Sequence, residues 1–97
     1  MNLSWQEEVL PAFKEEDVIV EEELGEKSLM VYNDDFNTFD HVIKTLMKVC
    51  NHTLEQAEQC TWLIHYKGKC CVKVGSYAKL KPMKDGICEA GIKAAIV

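Results

Sequence analysis

Asn33, Asp34 and Asp35 stand in a row, and about thirty residues later His65 is followed by Tyr66-Lys67-Gly68-Lys69. These two places concentrate polar, ionisable groups beside apolar ones. Two carboxylates and an imidazole could hold a divalent metal, or His65 could act as a base oriented by Asp34. Either would make a small hydrolase. The chain contains no nucleophile motif, no H-E-x-x-H, no Gly-rich phosphate loop and no zinc-type Cys/His spacing to support that chemistry. Each spot also has a plain structural explanation. Asn-Asp-Asp suits the turn before a capped helix, and a histidine near a helix C-terminus complements the dipole. His41 and His52 read as solvated, and Phe39 and Val42 as core. Residue types alone define a small α+β binding domain.

The elements that must position these residues follow from periodicity. Leu29 to Tyr32 reads as a short buried strand, stopped by the Asn-Asp-Asp turn. Phe39, Val42, Ile43, Leu46, Met47 and Cys50 then form one apolar stripe at helical spacing. Asn37 or Thr38 is the expected N-cap, and Asp40 suits the first turn. After Asn51-His52, Thr53 and Gln56 form a capping box for a second helix. Leu54, Ala57, Thr61 and Ile64 share its main face, widened by Cys60 and Leu63. Gly68 is placed to end it in the left-handed conformation. Cys70 to Val74 reads as a strand with Cys70, Val72 and Val74 on one face. A third helix is expected over about Leu80 to Ala90, with Pro82 in its first turn and Gly91 closing it. Ile92, Ala94 and Ile96 alternate as a last strand. The expected fold is α+β, in the order β-α-α-β-α-β. Three helices would pack on one face of a small three-stranded antiparallel sheet.

A chain of 97 residues, 47% apolar and 28% charged, has room for one globular core. The net charge of −5 is unevenly spread. Residues 1–26 hold nine acidic groups and one lysine, whereas residues 27–97 hold seven acidic groups and ten lysines. That split separates an acidic, largely flexible extension (1–26) from a mildly basic core domain (27–97). An acidic extension would repel phosphates, which argues against nucleic acid as a partner. No apolar run approaches the roughly 18 residues of a membrane span, and no secretory signal is visible, so a cytoplasmic protein is expected. The five cysteines, without a C-x-x-C pair, read as free and mostly buried thiols rather than metal ligands. Neither metal nor cofactor is expected.

The run Val31-Tyr32-Asn33-Asp34-Asp35-Phe36-Asn37-Thr38-Phe39-Asp40-His41-Val42-Ile43 resembles the signature of ClpS adaptors: a strand, then Asn-Asp-Asp-aromatic, then an apolar helix. Ile64-His65-Tyr66-Lys67-Gly68-Lys69 resembles the family's second signature. The similarity runs from about residue 28 to 97, and the order of elements is also the family's. The resemblance implies a non-enzymatic adaptor that binds N-degrons, free N-termini whose first residue is Phe, Tyr, Trp or Leu. It implies docking on the N-terminal domain of a ClpA- or ClpC-type unfoldase, which passes the substrate to the ClpP peptidase.

By position, Asn33, Asp34 and His65 would hold the α-ammonium group. Phe39, Val42, Thr61, Ile64 and Ile92 would wall the side-chain pocket, with Asp35 and Asn37 at its rim. An ammonium has three tetrahedrally arranged donors and needs acceptors converging from different segments. Two departures from the family pattern bear on specificity. Phe39 stands where a gating methionine is usual, and Thr61 where a larger apolar residue is common. The accepted side chains should differ accordingly. The rival to both adaptor and hydrolase is a ribosome- or stress-associated interaction module of similar fold without such a pocket.

Overall fold

The computed structural model describes residues 25–97. The acidic extension, with its expected boundary near residue 26, lies almost wholly outside the described residues. Strand β1 (Lys27–Tyr32) is followed by helices α1 (Phe39–Cys50) and α2 (Leu54–Lys67), strand β2 (Lys69–Gly75), helix α3 (Tyr77–Glu89) and strand β3 (Ala94–Ile96). The sheet order is β2-β1-β3, with β1 antiparallel to both neighbours. The expected α+β order and three-stranded antiparallel sheet are both observed.

Capping sets the helix limits. Thr38 caps α1 by accepting from the His41 N–H, and Asn51 ends it in the left-handed region at φ 62°. Asparagine tolerates that region better than most residues, because its short polar side chain bonds locally. Thr53 and Gln56 form the full capping box at the start of α2, and Gly68 closes it at φ 90°. Helix α3 begins earlier than its apolar spacing suggests. The Ser76 hydroxyl accepts from the Lys79 N–H, so the first turn forms at Tyr77 and Pro82 falls inside the helix. Gly86 has a packing reason. A Cβ there would lie 3.1 Å from Val49 Cγ1, so the glycine lets α3 approach α1 closely.

The core gathers Leu29 and Val31 of β1, Leu46 and Cys50 of α1, Ala57 of α2, and Leu80 and Ile87 of α3, all fully enclosed. Two expectations fail for strand reasons. Leu29 pairs with Lys73 and Met30 with Cys71, so Val72 is an extra residue on β2, a β-bulge. The bulge turns Val74 from the helix-covered face to the outer one, where it is 49% exposed. The last strand also starts later than expected, leaving Ile92 buried in the connection before it.

Other assignments shift through burial. His52 is buried rather than solvated, and its Nε2–H donates to the Val72 carbonyl at 2.8 Å. His41 is exposed but ties α1 to the end of α3 by donating to the Ala90 carbonyl at 2.8 Å. The cysteines are free, but only Cys50 is buried, with Cys60 and Cys70 half-buried and Cys71 and Cys88 exposed. Burial pushes the Cys50 thiol up to about 11 and Cys70 up to about 12, so neither is a thiolate at neutral pH.

Leu46 and Leu54 were both expected on apolar helix faces, yet Leu46 is fully buried and Leu54 is 53% exposed. Leu46→Ala should therefore cost about 2–5 kcal/mol, while Leu54→Ala stays within about 0.5 kcal/mol. Urea unfolding of the two variants checks this through the midpoint shift.

Candidate functional site

The loop between β1 and α1 is held by its own side chains. Asp34 Oδ1 accepts from the backbone N–H groups of Phe36 and Asn37, each at 2.9 Å. Its Oδ2 accepts from Asn37 Nδ2 at 2.6 Å. The Asn37 and Phe36 backbone donors, in that order, hold the Asp34 carboxyl below the ordinary aspartate value of 3.8, with the Asn37 amide adding to them. Asp34 is thus a carboxylate at neutral pH. An ionised carboxylate offers about four acceptor positions. Three are filled from within the loop.

Two further links bring distant segments to the loop. The Asn33 N–H donates to the Gly68 carbonyl at 2.9 Å, docking the end of β1 on the end of α2. His65, in the last turn of α2, lines the same cleft as Asn33. Asn37 Nδ2 also donates to the Gly91 carbonyl at 3.0 Å, fastening the loop to the segment after α3.

These links enclose an open cleft of about 290 Å³. Asn33, Asp34, Asp35, Asn37 and His65 contribute polar lining, and Phe39, Val42, Thr61 and Ile64 the rest of the wall. Ile92 does not reach this cleft. It lines an adjoining crevice of about 20 Å³ together with Asn33, Asp34, Asn37, Val42 and Ile64. Nine of the ten residues singled out in the sequence therefore meet around one hollow.

The apolar wall has two notable members. Thr61 is almost fully buried, and its hydroxyl donates to the Ala57 carbonyl at 2.7 Å, so its polar atom is satisfied within the helix. Phe39 meets His65 edge-on at 5.1 Å between ring centres, and Trp62 edge-on at 5.4 Å. Sequence reasoning missed Thr38, which also lines the cleft, and the Trp62–Tyr66 pair beside it. The four-residue spacing of those two aromatics on one helix was the available signal. The hydrolase reading gains no support from geometry. Among the described residues, no group of three or more His, Cys, Asp or Glu side chains is placed to hold a metal ion.

Helices laid on a small sheet, with an open cleft lined by acceptor-bearing and apolar side chains together, make this a compact binding domain. The sequence model of the family described as "ATP-dependent Clp protease adaptor protein ClpS" matches residues 26–94. The chain belongs to the ClpS family: it is an adaptor that delivers N-degron substrates to the Clp protease system, not an enzyme. It is 38% identical over 68 residues to the ClpS adapter protein of Thermosynechococcus vestitus, covering 69% of this chain and 72% of that one. The Nostoc ClpS adapter protein is 35% identical over 68 residues, covering 69% and 70%. A segment of the human E3 ubiquitin-protein ligase UBR1 is 33% identical over 58 residues, covering 60% of this chain but 3% of the ligase. Among solved structures, Agrobacterium tumefaciens ClpS2 bound to L-phenylalaninamide superposes with a TM-score of 0.64 at 22% identity, covering 74% of this chain and 94% of that chain.

Proposed function

We propose that the cleft is where this adaptor takes hold of its substrate, by the first residue of a polypeptide. The observation that carries this reading is that Asn33, Asp34 and His65 line the same hollow as Val42, Thr61 and Ile64. The three polar groups accept from the α-ammonium, and Asp34 supplies the opposite charge. The apolar wall receives a bulky first side chain. Phe39 and Thr61 set the depth and width of that space. L-phenylalaninamide, the ligand of the Agrobacterium protein, combines a free amino group with a benzyl side chain, the chemistry that such a hollow would take.

In the same reading, Asp35 and Asn37 stand at the rim, and Ile92 backs the wall from behind. The partner that receives the substrate is the N-terminal domain of a ClpA- or ClpC-type unfoldase.

Burying a Phe or Leu side chain contributes about 1.5–3 kcal/mol. Labelled peptides that differ only in their first residue should therefore separate in anisotropy titrations. Phe, Tyr, Trp or Leu in first place should bind roughly tenfold to a hundredfold more tightly than Ser or Asp. Equal affinities across that panel would reject the assignment of the cleft.

A further inference from the structure

Trp62 and Tyr66 lie one turn apart on α2, and their rings stack at 4.8 Å with an interplanar angle of 6°. The core does not use them: they are 50% and 67% exposed. The pair is also continuous with the cleft. Trp62 meets the wall residue Phe39 at 5.4 Å, and Tyr66 meets the mouth residue His65 at 5.1 Å, both edge-on. A flat aromatic ledge thus begins at the rim of the site.

We propose that the Trp62–Tyr66 ledge is a second subsite, which takes an aromatic or long apolar side chain from the second or third residue of the captured polypeptide. This rests on the reading that the cleft holds the first residue. Reach supports it. An extended chain advances about 3.3 Å per residue. The third residue therefore stands about 6.6 Å beyond the first, past the 5.4 Å step from Phe39 to Trp62, and its side chain has the further 4.8 Å to Tyr66 to span. Successive side chains of an extended chain point to opposite sides, so one of the two positions faces the ledge. Lys67, which follows Tyr66 directly, and Lys69, two residues further on, disfavour a cationic side chain there. A ring packing against the exposed part of this pair satisfies both shape and charge.

The test uses the full chain and labelled peptides beginning Phe-Gly-Gly, Phe-Trp-Gly and Phe-Gly-Trp. One of the tryptophan peptides should bind about threefold to tenfold more tightly than Phe-Gly-Gly. Tyr66→Ala should erase that difference. Phe36→Ala, which removes a side chain 92% exposed on the loop and outside the ledge, should preserve it. The proposal is overturned if neither tryptophan peptide gains, or if the gain survives Tyr66→Ala. Failure of the underlying cleft reading would look different. Phe-Gly-Gly and Ser-Gly-Gly peptides would then bind alike, and the ledge would fall with the cleft.

Discussion

Asp34→Ala is expected to lower affinity for a Phe-first peptide on the order of a hundredfold, from two separable causes. The first is the lost charge. A charge-assisted hydrogen bond contributes about 1.5–3 kcal/mol, and solvent at the open mouth moves the figure toward the lower end. The second is the loop. Alanine leaves the N–H groups of Phe36 and Asn37 without their acceptor and frees the Asn37 side chain that reaches Gly91. Asp34→Asn separates the two, because an amide oxygen can still accept from the backbone while carrying no charge. It should keep most of the loop's order and still lose capture. Calorimetry beside anisotropy tests this: full affinity in either variant would remove Asp34 from the site.

The same carboxylate gives a pH signature. Its folded value is depressed below 3.8, so its stabilisation of the loop is complete above the ordinary aspartate range. That stabilisation disappears as pH falls through the lower folded value. The stability gap between wild type and Asp34→Asn should therefore be constant through neutral pH and close only in strong acid.

Acetylating the amino group of a Phe-first peptide should cost at least as much, again on the order of a hundredfold. Acetylation removes the positive charge and leaves a single N–H donor. Acceptors at the mouth that need three donors then stay unpaired when desolvated. Free peptides should also weaken above about pH 8, where a typical α-amino group loses its proton. Superimposable titrations of the acetylated and free peptides would mean that the cleft recognises only the side chain.

Much of this was legible in the sequence because it was local. The Thr53–Gln56 capping box, the Val42–Leu46–Cys50 stripe and the left-handed Gly68 are short-range patterns, and all three are in place. The Asn-Asp-Asp and His-Tyr-Lys-Gly-Lys runs located the cleft through family resemblance, since each alone fits an ordinary turn or cap. What the sequence hid depends on partners far along the chain. The Val72 bulge is a matter of register with β1, and it alone decides that Val74 faces outward. The burial of His52 depends on the Val72 carbonyl twenty residues away. Helix α3 was misplaced for a nearer reason: Ser76 starts the helix before the proline is reached, so Pro82 marks no boundary.

The mouth of the cleft is fastened at two points, Asn33 to Gly68 and Asn37 to Gly91, the latter spanning 54 positions of chain. Gly91 follows directly on the C-cap of α3, so the second fastening exists only once that helix has docked. Until then the loop has only its own bonds and the link to Gly68 to hold it. The final arrangement of the grip thus waits on a part of the chain that comes late in sequence.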